Sequence, residues 1–358
     1  MFRFATDGGL LADLVHDAIA LFRAAQEKLP QRTGPGRKPV YEQWHLAVLI
    51  YFAILHRRKS KSAMYRFLQS RQEQLLKWLR LKRLPSRSLF MQRYRDAWPL
   101  LQQAIQLQGR KAVQEHIADA STVAVDKSLI PAKGPRGHVW HRHGKEPHQR
   151  LTGVDMEAAW GKSPHHGWVY GYSYEVVVCA TKKGMIFPLL ASVDTASRNE
   201  HKSFAQKIPL LPPSVKYVLA DTGYDGNQLG DALEYDKHGR PTGRHFLCAP
   251  QSRGGKPALG QIVQKGKREV CRQHRAKRER FRTTPRGRAL YRLRREKIEP
   301  FNQWFKCTFE LEDHVWHRGR ENNDTMVLAG MFANQMLLRH SFKHGNRDGQ
   351  IKWMLDQL

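Results

Sequence analysis

Two acids close short apolar runs, and their placement constrains the fold more than any other feature of this chain. Asp126 ends Thr122-Val-Ala-Val-Asp126, and Asp221 ends Val218-Leu-Ala-Asp221 before Thr222-Gly-Tyr-Asp225. Short apolar runs rich in β-branched residues read as strands. A carboxylate at the end of a buried strand is costly unless something there needs its charge. Adjacent strands lie about 4.8 Å apart, so Asp126 and Asp221 can face each other at one end of a sheet. A third acid, Glu299, lies in the helical stretch Tyr291 to Lys306, and a packed helix can deliver it to the same place.

The charge balance says what such acids would be for. Lys and Arg outnumber Asp and Glu by 61 to 32, leaving a formal net charge of +29 and a pI near 10.3. That balance suits a polyanion, most simply DNA or RNA, although ribosomal proteins and binders of anionic membranes share it. Three acids on so basic a chain point to Mg²⁺, with Mn²⁺ as a substitute, held against nucleic-acid phosphate. Two ions in such a site sit roughly 3.5–4 Å apart, one activating the attacking oxygen and one stabilising the leaving oxygen. Taken singly, each acid also reads as a turn cap or the partner of a nearby cation, and Asp225, a near neighbour of Asp221, reads as serving the turn after Gly223-Tyr224 or as the ligand in place of Asp221.

A membrane segment is not expected. The longest apolar run, Leu46 to Leu55, falls well short of the ~20 residues a bilayer needs. The first residues lack the order of segments of a signal peptide. Cysteines 179, 248, 271 and 307 form no Cys-x-x-Cys pair, which points to a reduced cytosolic protein without disulfides or structural zinc.

A chain of 358 residues can hold two domains. Residues 1–115 read as helical, interrupted by Leu29 to Pro39, a basic linker with three prolines and two glycines. Ser86 or Ser88 reads as the cap of a helix that carries Arg87 and Arg93 near its start. Such a unit suits a DNA groove; the same pattern also describes a bundle with a solvated basic face.

From residue 116 to 345 the pattern is mixed α/β. Val169 to Ala180 and Met185 to Val193 read as an antiparallel pair turned at Lys182-Lys183-Gly184. Strands then follow at 215–220 and 245–249, with helices at 201–208, 227–233, 286–306 and 322–340. A mixed sheet covered by helices on both faces is the expected class. Residues 346–358 form a tail.

Within a basic helical segment, 262–297, the stretch from Lys265 to Lys297 carries fifteen Lys or Arg against three Glu. It includes Arg275, Lys277, Arg278 and Arg282, a stripe suited to DNA phosphates. Pro300 should kink the helix beside Glu299. His138 to His166 lacks a zinc-ligand spacing; it reads as a loop touching DNA through Trp140, Arg142 and Lys145, with Trp160 and Trp168 as packing residues.

In order and setting, Asp126, Asp221 and Glu299 resemble the DDE triad of bacterial insertion-sequence transposases. Arg295-x₃-Glu299-x₆-Lys306 resembles the Tyr-Arg-Glu-Lys signature of one large group of them. Tyr291 precedes Arg295 by three intervening residues where that group has two. Ala220-Asp221-Thr-Gly-Tyr-Asp225 resembles the second-acid motif, and Gly167-Trp-Val-Tyr-Gly-Tyr172 the strand before it. The likeness spans roughly residues 40–340. It implies an RNase H-like core with a mixed five-stranded sheet, an all-α N-terminal DNA-binding region, and two Mg²⁺ on Asp126, Asp221 and Glu299. Tyr291, Arg295 and Lys306 would then meet DNA. The implied activity is strand cleavage and transfer at terminal inverted repeats of double-stranded DNA, by a homodimer on DNA in the bacterial cytoplasm and nucleoid. A structure-specific nuclease on the same fold and a non-catalytic DNA-binding relic are the rivals.

Overall fold

The computed structural model describes residues 8–30, 39–136, 153–163, 167–251, 267–345, 351–356 and 358. Six helices come first: α1 (Gly8–Glu27), α2 (Gln43–Leu55), α3 (Lys61–Ser70), α4 (Gln72–Leu79), α5 (Arg87–Tyr94) and α6 (Trp98–Gln114). Helix α2 is apolar on nearly every face and is buried almost end to end, as such a helix must be. Ser86 caps α5 as expected, its hydroxyl accepting from the Leu89 N–H.

The sheet comprises β1 (Thr122–Pro131), β2 (Ala159–Ser163), β3 (Gly167–Cys179), β4 (Pro188–Thr195), β5 (Tyr217–Ala220) and β6 (His245–Cys248). Five strands in the order β4-β3-β1-β5-β6 form the mixed sheet expected from the sequence. The short β2, which the sequence does not announce, adds a sixth by pairing with the first residues of β3. β3 is antiparallel to β1, β2 and β4, whereas β1, β5 and β6 run parallel. Parallel neighbours need crossover connections, and here α7 (Glu200–Ala205) lies between β4 and β5 and α8 (Asn227–Glu234) between β5 and β6. Helices α9 (Lys267–Thr283), α10 (Pro285–Thr308), α11 (Arg320–Lys343) and α12 (Ile351–Asp356) complete the chain.

Helix α10 runs unbroken through Pro300. One hydrophobic cluster joins α1, α2 and α6 to the sheet and to α11, so the helical region and the sheet share a core. Arg339 of α11 reinforces that junction, reaching Glu115 at 2.9 Å and Asp17 at 3.1 Å. Trp160 packs beside Tyr170, but Trp168, expected to pack, is 52% exposed because it sits where β3 enters the sheet. Among the described residues no helix is long and apolar enough to cross a membrane.

Candidate active site

Strand register brings the two aspartates together. β1 and β5 pair in parallel with Val125 opposite Ala220, so the next residue on each, Asp126 and Asp221, emerges at the same level. Asp221 caps a short 3₁₀ turn, Thr222–Tyr224, with Oδ1 accepting the Gly223 N–H at 2.6 Å. Asp126 Oδ2 accepts from Asn302 Nδ2 at 2.7 Å, and Asn302 Oδ1 accepts the Tyr174 hydroxyl at 3.0 Å.

Burial and the neighbouring Asp221 push the Asp126 carboxyl up to about 7, with Glu200 adding and Arg294 opposing. Glu200 is likewise pushed up to about 7, by burial and by Asp221, with Lys127 opposing. A Cβ on Gly223 would overlap Glu200 Oε2, so glycine is what lets that carboxylate lie against the Asp221 turn. Three acids thus share one electrostatic neighbourhood, and the third is Glu200. No sequence pattern marks it, because it opens a six-residue helix with no motif around it.

Helix α10 is strapped across this end of the sheet. The Tyr291 hydroxyl donates to the Ala220 carbonyl at 3.2 Å and accepts the Ala249 N–H at 3.3 Å. Lys306 Nζ donates to the Leu129 carbonyl at 2.7 Å. Glu299 lies one turn before Asn302, but its side chain is 54% exposed and pairs with Arg295 at 3.6 Å and Arg294 at 3.8 Å. The structure therefore joins Asp126 to Asp221 and leaves Glu299 beside them, turned outward. Among the described residues no three His, Cys, Asp or Glu are grouped closely enough to hold a metal ion.

The cations expected to meet DNA divide in two. Arg93 donates to the Tyr41 carbonyl at 2.9 Å, Arg275 pairs with Asp225 at 2.5 Å, and Arg278 with Asp231 at 2.9 Å and Glu234 at 3.4 Å. Arg282 pairs with Glu279 and lies over the Tyr291 ring. Each of these side chains has a partner within the protein. Arg87 is exposed, touching Ser62 Oγ at 3.2 Å, and Lys277 and Arg295 are exposed on their helices. Trp140, Arg142 and Lys145 lie outside the described residues, as do most of the basic linker and the first residues of the basic segment.

A mixed sheet flanked by helices, with paired aspartates at neighbouring strand ends, is the architecture of an RNase H-like DDE domain. Residues 117–334 match the family model described as the Transposase DDE domain, and the chain belongs to that family. No curated protein matches it.

Proposed function

We propose that this chain is an insertion-sequence transposase that cuts double-stranded DNA at terminal inverted repeats and joins the freed ends to target DNA. The observation that carries the reading is the Asp126–Asp221 pair, set on adjacent strands of a transposase DDE domain in a chain of net charge +29. The Asp126 carboxyl, raised by burial and by the Asp221 carboxylate beside it, fits a divalent cation, which offsets both effects. Bound Mg²⁺ or Mn²⁺, two ions in the full site, would supply a lowered pKa for the attacking oxygen and charge stabilisation for the leaving one.

Asp126 and Asp221 would hold the cations, and Glu299 would complete the set by turning inward from α10. Arg295 and Lys306 would grip phosphate beside the cut, while Tyr291 fixes α10 to the ends of β5 and β6. Arg87 and Lys277, both exposed, would meet DNA phosphates farther out. Two DNA ends must be brought together, so a homodimer on DNA is the working assembly, in the bacterial cytoplasm at the nucleoid.

The test incubates the protein with a labelled duplex bearing the element's own end and Mg²⁺ or Mn²⁺, scoring cleavage and joining. Asp126→Ala and Glu299→Ala should abolish both while DNA binding persists. Cleavage without joining would make the protein a nuclease, and binding without cleavage would make it a DNA-binding relic.

A further inference from the structure

Beneath the aspartates lies a buried ionic network. Glu175 of β3, 3% exposed, stands opposite Lys127 of β1 and one residue from the position facing Asp126. Its Oε1 accepts from Lys207 Nζ at 2.6 Å and from the Ser203 hydroxyl at 3.1 Å. Lys207, also buried, donates to Ser192 Oγ of β4 at 2.6 Å. Glu200, Ser203 and Lys207 follow one another at helical spacing, so α7 and the turn after it present all three on one face. The other carboxylate oxygen, Glu175 Oε2, accepts the hydroxyl of Tyr224 at 2.9 Å.

Tyr224 closes the turn that Asp221 opens, its N–H donating to the Asp221 carbonyl at 3.1 Å. It is completely buried, its ring edge-on to Phe204. A buried ion pair is a poor source of stability, because desolvation consumes much of its Coulombic gain. An apolar trio would fill the same space at less cost. What this network adds is direction: it fixes a hydroxyl three residues from Asp221 at one point on β3.

We infer that Tyr224 is a positioning residue, holding the Asp221 carboxylate in register with Asp126 by anchoring its turn to the Glu175–Lys207 pair. The inference rests on the proposed cation-binding role of the two aspartates. Polar partners behind a metal-holding side chain are worth about 10–100-fold in metal affinity. Tyr224 acts through the turn rather than on the carboxylate, which places its effect near tenfold.

The experiment measures Mn²⁺ binding to the full-length protein without DNA, by calorimetry and by the electron paramagnetic resonance of free Mn²⁺. It compares wild type, Asp126→Asn, Tyr224→Phe and Tyr172→Phe, with a urea unfolding curve for each. Tyr172→Phe is the matched control, because it deletes a hydroxyl that donates at 2.8 Å to another buried carboxylate, Asp155, from the same strand as Glu175. Tyr224→Phe should raise the Mn²⁺ dissociation constant about tenfold, and Tyr172→Phe should leave it unchanged. Equal affinity in Tyr224→Phe and wild type would overturn the inference. So would equal weakening by both hydroxyl deletions, or loss of the fold in Tyr224→Phe, either of which makes the hydroxyl merely structural. Wild-type protein that binds no Mn²⁺, or binds it no better than Asp126→Asn, would overturn the cation-binding reading and this inference with it.

Discussion

Asp126→Asn should stabilise the cation-free protein even as it removes activity. Burial and Asp221 raise the Asp126 carboxyl from 3.8 to about 7, so the folded state disfavours its charge. At 1.36 kcal/mol per pKa unit, complete burial would make ionisation cost roughly 4 kcal/mol. The side chain keeps some contact with solvent, which about halves that figure to ~2 kcal/mol. A folded pKa raised above the unfolded one leaves stability intact below pH 3.8 and removes it as pH climbs through about 7. The amide avoids the charge at every pH, and its oxygen can still accept from Asn302, 2.7 Å away in the native protein. Urea unfolding in EDTA should therefore show the variant more stable than wild type by about 2 kcal/mol near pH 8 and by under about 1 kcal/mol near pH 5. Adding Mg²⁺ to ten times its dissociation constant should restore about 1.4 kcal/mol to wild type and nothing to the variant. A variant less stable than wild type near pH 8 in EDTA would refute the argument, since Asp126 would then be a stabilising charge.

Three further outcomes test other parts of the molecule. Gly223→Ala should destabilise by about 1–3 kcal/mol and abolish Mn²⁺ binding, because its Cβ would overlap the Glu200 carboxylate; a urea curve and a metal titration read both effects. Lys277→Ala should flatten the salt dependence of DNA affinity by about one phosphate contact, whereas Arg278→Ala, which strands Asp231 and Glu234, should lower the unfolding midpoint instead. His317, buried beside the Tyr94 hydroxyl with Lys61 and Lys133 nearby, has its imidazole lowered to about 3. Its lowered folded pKa preserves stability above pH 6.5 and removes it as pH falls toward 3, by up to about 5 kcal/mol. His317→Gln should flatten that acid limb of the stability curve.

The strands that carry the aspartates were legible because β-branched runs ending in an acid have few other readings. Their register was legible in outline, since neighbouring strands can set two such ends side by side. β2 was hidden because Ala159-Trp-Gly-Lys-Ser163 has no strand pattern of its own and exists as a partner for the start of β3. Glu200 was hidden for a related reason: its position depends on where a crossover helix lands, and nothing local records that. The basic segment shows a different limit of composition. Composition counts its arginines, but only the fold shows that Arg275, Arg278 and Arg282 face acids of the protein itself. Glu299 is singled out by spacing along a helix, which fixes a face of α10 but not the rotamer of the side chain.

That last distinction governs how the site can be completed. Three side chains tie α10 down: Tyr291 to Ala220 and Ala249, Asn302 to Asp126, and Lys306 to Leu129. Rolling the helix to bring Glu299 inward would break all of them at once, at about 1 kcal/mol or more each. Turning the Glu299 side chain breaks only its pairs with Arg294 and Arg295, at 3.8 and 3.6 Å, and exposed pairs of this kind are worth about 0.2–1 kcal/mol. A DNA phosphate offers Arg295, 77% exposed, a stronger charge-assisted partner than that long ion pair. On the proposed role of Glu299, its recruitment by side-chain rotation, with the helix held still and a DNA phosphate drawing Arg295 away, would be the less costly route by several kcal/mol.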